Sequence, residues 1–245
     1  MKVIQSTSKG SYNCDKCKDN EWITYIDDNG LMDHKLCECY WINRKKEKID
    51  RLIKASHITE EFQQKTFTNF DTKNVHSQIK KAHQVAVKYV KEFDQHKETR
   101  HNSIMLLGRV GAGKTHLLMA IANNLLANGT EVLYFPWVEG INEIKDDFDR
   151  LEERTKRLRE CEVLYLDDIF KGREEPTAFQ LEQLFGIINY RYLNKKPIMI
   201  SSEKTIAELC EIDEGIGSRI FEMCRDYRVN ITGDMKLNYR LRGMV

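Results

Sequence analysis

Residues 108–115 read Gly-Arg-Val-Gly-Ala-Gly-Lys-Thr, the G-x-x-x-x-G-K-[ST] spacing of a phosphate-binding loop. Gly111 and Gly113 free the backbone to turn tightly, so that its N–H groups point at phosphate oxygens. Lys114 then sets a cation against β- and γ-phosphates. The Thr115 hydroxyl is suited to Mg²⁺ at the start of a helix whose dipole also favours an anion. Gly108, Arg109, Val110, Gly111, Ala112, Gly113, Lys114, Thr115 and His116 are the candidate nucleotide cradle.

About 50 residues later, Val163-Leu164-Tyr165-Leu166-Asp167-Asp168 is an apolar strand ending in two carboxylates, a Walker B pattern. Asp167 is placed to enter the Mg²⁺ shell, where a buried negative charge is tolerable only beside a cation, and Asp168 to orient and activate an attacking water. Another polar strand end, Ser201-Ser202-Glu203, is expected beside the phosphate site, with Ser202 a contact for the γ-phosphate or its water. Arg219, in Gly217-Ser218-Arg219-Ile220, opens a helical segment and reads as a phosphate-seeking arginine.

A second chemistry resides in Cys14-x-x-Cys17 and Cys37-x-Cys39, nineteen residues apart. Two short-spaced pairs let four thiolates converge on one tetrahedral Zn²⁺. His34 is an alternative ligand, because the second pair has one intervening residue instead of the commoner two to four.

The elements that must position these groups are legible from periodicity. Glu21 to Ile26 and Leu31 to Leu36, joined by Asp28-Asn29-Gly30, form a hairpin of zinc-ribbon type, and a locally basic helix follows from Trp41 to Ala55. Phe62, Phe67 and Phe70 punctuate a polar connection. Ile79, Ala82, Ala86, Tyr89, Val90 and Phe93 then recur at helical spacing. Beyond the phosphate loop, a helix from Lys114 to about Ala127, a strand from Glu131 to Phe135, one charged helix lined by Ile141, Ile144, Phe148, Leu151 and Leu158, a helix from Thr177 to Leu193 and a strand from Pro197 to Ser201 follow in turn. Strands alternating with helices indicate an α/β fold with a parallel sheet flanked by helices. The expected organisation is a zinc-ribbon-like module with its basic helix over residues 1–55, a linker with an amphipathic helix over 56–102, and the ATPase core over 103–245.

Of 245 residues, 31% are charged, yet the net charge is only +1, so any nucleic-acid contact must be local. No apolar run of 18 residues and no basic-then-apolar leader is present, so a soluble, cytoplasmic protein without membrane contact is expected. In a reducing compartment seven cysteines are metal ligands or buried thiols before they are disulfides.

The ordered set Phe67-Thr-Asn-Phe70, Gly108 to His116, Tyr165-Leu-Asp-Asp168, Ile200-Ser-Ser-Glu203 and Gly217-Ser-Arg-Ile220 resembles the DnaC/DnaI family of AAA+ replicative-helicase loaders, especially phage-type members. A cysteine-rich module before the core also looks like the DnaI arrangement. The resemblance implies an ATPase that loads a hexameric replicative helicase onto single-stranded DNA, the N-terminal module grasping the helicase. It further implies that Arg219 is an arginine finger completing the ATP site of an associated copy or partner. One residue departs from the pattern: relatives often carry Asn as the γ-phosphate sensor where this chain has Glu203, and an anion there is unfavourable unless it is protonated, turned away or bridged by water. The competing expectations are a transposition-helper ATPase of the IstB type, an ATP-binding partner module with negligible hydrolysis, and a small-molecule kinase; the last lacks a recognisable acceptor pocket or lid.

Overall fold

The structure, a computed structural model, describes residues 2–3, 12–73, 75–172 and 175–241. Its chain divides into two units, Met1–Arg51 and Leu52–Val245. In the first, β1 (Lys2–Val3), β2 (Trp22–Ile26) and β3 (Met32–Leu36) form an antiparallel sheet in that order. The hairpin register runs from Trp22 opposite Leu36 to Ile26 opposite Met32. Its turn is made by Asp27, whose Oδ1 accepts from the Asn29 and Leu31 N–H groups, and by Gly30 at φ +80°, a left-handed conformation that glycine adopts without strain. The strand β1 had no counterpart in the sequence reading. The basic helix α1 (Glu38–Ala55) begins three residues before the expected Trp41, directly after Cys37, and Glu38 in its first turn suits the helix dipole.

The second unit starts with α2 (Glu60–Gln63), capped by the Thr59 hydroxyl, and the amphipathic α3 (Ser77–His96), which buries Ile79, Ala82, Ala86, Tyr89 and Phe93. There follow β4 (Ile104–Gly108), α4 (Lys114–Ala127), β5 (Val132–Pro136), α5 (Trp137–Asp146), α6 (Leu151–Glu160), β6 (Val163–Asp167), α7 (Ala178–Leu193), β7 (Ile198–Ser202), α8 (Ile206–Ile212), α9 (Glu214–Met223) and β8 (Arg228–Ile231). Short 3₁₀ turns at Phe148–Arg150, Met235–Leu237 and Tyr239–Leu241 complete it.

The five strands β4 to β8 are parallel and ordered β5-β6-β7-β4-β8. Helices cover both faces, so the strands read as apolar runs: Ile104 and Leu106 enter one core with α3 and α4, while Met105 and Leu107 enter the other with α5 to α9. This is the α/β architecture of the AAA+ core. Because β7 lies between β6 and β4, the loops leaving those three strands adjoin at the carboxyl edge of the sheet.

Two element boundaries correct the sequence reading. The charged helix is two helices: Asp147 leaves helical geometry at φ −132°, ψ +73°, where Asp146 and Asp147 put adjacent carboxylates at the negative end of the helix dipole. Phe148, assigned to the apolar side of that helix, is exposed. The segment containing Arg219 does not open a helix; α9 begins at Glu214, where the Asp213 carboxylate accepts from the Ile216 N–H at 2.8 Å.

Candidate functional site

The loop after β4 wraps a lysine. Glycines at φ +98° (Gly108), +71° (Gly111) and +85° (Gly113) carry the chain round, and Lys114 Nζ donates to the Gly108 and Arg109 carbonyls at 2.7 and 3.0 Å. Burial pushes the Lys114 ammonium below its ordinary pKa, a desolvation that an anionic ligand would offset. Val110 to His116 line a cleft of about 1030 Å³, together with Asp167, Asp168, Lys171 and Glu203 from the neighbouring strand ends.

Asp167 is buried, and burial raises its carboxyl above the usual range. Ser201 Oγ, Tyr165 OH and Thr115 Oγ1 donate to its Oδ1 at 2.5, 2.8 and 3.2 Å, and Tyr134 OH donates to Oδ2 at 3.2 Å. A desolvated carboxylate beside the threonine that begins the phosphate-loop helix is a donor pair that fits a hard divalent cation, whose charge would offset the burial. Asp168 lies one residue past the strand, at φ +54°, with its N–H donated to Ser201 Oγ at 2.7 Å. Its carboxylate faces the cleft and pairs with Lys171 at 2.5 Å, which holds the Lys171 ammonium above its ordinary pKa.

The β7 end departs from expectation at Ser202. Its hydroxyl is wholly buried, donates to the Ile169 carbonyl at 2.8 Å and accepts from the Lys204 N–H at 3.2 Å. Alternation along the strand turns Ser201 toward Asp167 and Ser202 away from it. The β7 segment reaches the cleft through Glu203. Arg219 is not among the cleft-lining residues: Nη1 donates to the Gly215 carbonyl at 2.7 Å, and the guanidinium sits 5.4 and 5.5 Å from the Phe185 and Tyr192 ring centroids. His116 Nε2 lies 3.0 Å from both the Thr66 carbonyl and Asn69 Oδ1. Phe70 packs on His83 and His116 and touches the place a Gly113 side chain would occupy, so the linker aromatics wall the cleft as well as anchor the linker.

The sequence reading missed four contributors. Tyr134 and Tyr165 appeared only as strand residues, although a tyrosine on a strand beside a carboxylate end is a usable signal. Lys171 carried no motif. Finally, the C-terminal turn lies on the phosphate loop: the Tyr239 N–H donates to the Gly111 carbonyl at 2.9 Å, and Asn238 occupies the space any side chain at 111 would need.

In the N-terminal unit the four cysteine sulfurs lie within 4.8 Å of one another. Cys14 and Cys37 are 3.7 Å apart, and Cys17 and Cys39 are 3.2 Å apart. A tetrahedron of thiolates around zinc has S···S edges of about 3.8 Å, so the set fits that ion. The first knuckle is shaped by Asp19, whose carboxylate accepts from the Asn13 and Cys14 N–H groups, and by left-handed Lys18 and Asp19. Hydrogen bonding from the Cys17 backbone brings the Cys14 thiol down to about 7, within reach of deprotonation at neutral pH. His34 stands apart from the cluster, with Nδ1 3.0 Å from Thr24 Oγ1.

Residues 61–224 match the bacterial DnaA ATPase domain family. YqaM of Bacillus subtilis (strain 168) is 50% identical over 212 residues, spanning 84% of this chain and 66% of YqaM. The phage-like element PBSX protein XkdC of the same strain is 44% identical over 238 residues, 95% of this chain and 88% of XkdC. Among solved structures, the DnaC helicase loader aligns with a TM-score of 0.61 at 24% identity, over 71% of this chain and 100% of its own. DnaI aligns at 0.58 and 25% identity, over 72% and 95%. Among the described residues, no helix is long and apolar enough to cross a membrane.

Proposed function

The chain belongs to the bacterial DnaA ATPase-domain family, is built as the DnaC/DnaI helicase loaders are, and on that premise we propose that it hydrolyses ATP while loading a hexameric replicative helicase onto single-stranded DNA. The observation that carries the reading is the convergence of Lys114, Thr115, Asp167 and Asp168 on one cleft. There Lys114 holds the β- and γ-phosphates, and loop N–H groups bind the phosphate oxygens. Thr115 and Asp167 would hold Mg²⁺, which when bound neutralises phosphate charge. Asp168 accepts a proton from the attacking water as its oxygen bonds to the γ-phosphorus; the β–γ bridge breaks with its electron pair leaving on ADP.

Exposed Trp22, Leu31, Met32, Trp41 and Ile42 support a protein-binding role for the N-terminal module, since so many large apolar groups on a small unit seek a partner surface. Purified protein is expected to retain a replicative helicase in an ATP-dependent manner. Recovery of a duplex-binding transposase in its place would assign the chain to the transposition-helper class.

We assign Zn²⁺ to Cys14, Cys17, Cys37 and Cys39 as the element that folds a module whose described residues bury almost no core of their own. Metal analysis should find one zinc per chain. A Cys14→Ser/Cys17→Ser variant is expected to lose both zinc and helicase association while its core still binds ATP. Protein prepared without chelators and found free of zinc would refute the assignment.

A further inference from the structure

Glu203 is the residue that sits worst in a phosphate site, and its surroundings account for it. The chain leaving β6 makes a tight reversal with Asp168 at φ +54° and Phe170 at φ +59°. Phe170 is buried beside Trp137. The reversal is stapled to β7 by the Ile169 N–H donating to the Ser201 carbonyl at 3.0 Å and by Ser202 Oγ donating to the Ile169 carbonyl at 2.8 Å. The result is a fixed position for Lys171, whose ammonium lies 2.5 Å from Asp168 Oδ2 and 3.8 Å from Glu203 Oε1. All three side chains line the same cleft as Lys114.

Two carboxylates therefore share one cation at the place where a third anion, the γ-phosphate, is to bind. The pair with Asp168 is partly solvated, the kind of ion pair that exchanges readily for a more highly charged partner. While Lys171 sits on Oδ2, that oxygen of the Asp168 carboxylate is already engaged as an acceptor.

We propose that Lys171 is a γ-phosphate contact supplied within the same chain, and that Glu203 is a positioning residue that holds the Lys171 ammonium in the cleft instead of meeting the phosphate itself. Arrival of a triphosphate draws the ammonium from Asp168 to a γ-oxygen. That movement frees Asp168 for the attacking water, so the same cation senses the third phosphate and releases the base. ADP, without a γ-phosphate, leaves Lys171 on Asp168. The proposal rests on the ATPase reading above, and its test separates the two.

Nucleotide affinities and turnover are measured on the full chain with ATP and ADP. Lys171→Met is expected to lower kcat roughly 100-fold, as loss of one charge-stabilising donor does. It should also reduce the preference for ATP over ADP about tenfold and leave ADP affinity unchanged, which reports an intact fold. Lys171→Arg keeps the charge and should keep both properties. Glu203→Gln should lose part of the turnover, and it should add nothing in the Lys171→Met background if it acts through Lys171. Lys171→Met with an undiminished ATP preference overturns the proposal while leaving the ATPase reading intact, and a Glu203→Gln loss that adds in full removes the positioning role. A parental protein that binds both nucleotides without turnover defeats the ATPase reading, yet its ATP preference still judges Lys171. One that binds neither defeats both.

Discussion

Lys114→Ala is expected to abolish tight ATP binding, whereas Asp168→Asn is expected to bind ATP and hold it unhydrolysed. The two outcomes differ because the side chains meet the substrate at different stages. Lys114 is buried, and its ammonium donates to two loop carbonyls in the position where β- and γ-phosphate oxygens are to replace them. Hydrogen bonds to charged groups contribute roughly 1.5–3 kcal/mol each. Losing two of them weakens binding by about 100-fold or more. The loop N–H groups remain, and they do not compensate for the charge.

Asp168→Asn leaves Asp167 and its hydroxyl donors in place and removes the carboxylate that takes the water proton and pairs with Lys171. A positioned general base is worth roughly 10²- to 10⁴-fold, so turnover should fall by that factor with affinity near parental. Equilibrium binding of a fluorescent ATP analogue, followed by phosphate release, distinguishes the two variants. Hydrolysis at the parental rate in both would mean that the cleft is not where ATP is consumed.

Mixing two inactive variants, Arg219→Ala and Lys114→Ala, is expected to restore ATP hydrolysis that neither shows alone. Arg219 does not line its own chain's nucleotide cleft; α9 and the Phe185 and Tyr192 rings hold it elsewhere. Its buried Nε has no hydrogen-bond partner among the described residues. A guanidinium so placed meets a phosphate most directly on an associated chain, where it would oppose the charge that spreads over the γ-oxygens during transfer. Arginines supplied across an interface contribute roughly 10³-fold or more to such reactions. Arg219→Ala should therefore bind ATP normally and turn over slowly, and parental activity per chain should rise with protein concentration or with added helicase and single-stranded DNA. In the mixture one variant brings an intact nucleotide site and the other an intact arginine. A mixture no more active than its components, at concentrations where light scattering shows association, would exclude action in trans.

Local spacing alone was enough to single out the Lys114 loop, the β6 carboxylates and the cysteine pairs as residues that come together. In each case the residues are near neighbours, so their separation along the chain is itself the geometry: eight residues close the loop after β4, and a step of two or three brings a pair of thiols together. Apolar periodicity likewise marked β4 to β7 and the helices α3, α4 and α7, because burial against a sheet demands it. What the tertiary structure decided depends on residues far apart in sequence. The order β6-β7-β4 determines that Ser201 meets Asp167 and that Ser202 braces Ile169, a difference of one residue that strand alternation resolves only once the neighbours are known. Lys171 meets Asp168 three residues back along the chain, but Glu203 joins them only because the two strand ends are stapled together. The turn at Asn238 and Tyr239 reaches Gly111 from well over 100 residues away. Arg191, wholly buried without a carboxylate, donates from its two terminal nitrogens to carbonyls of Leu158, Arg159, Cys161, Glu162 and Pro197 that converge only when α6, α7 and β7 have packed. A charge at such a position looks in the sequence like any other surface arginine, because its partners are backbone atoms, and every residue has those.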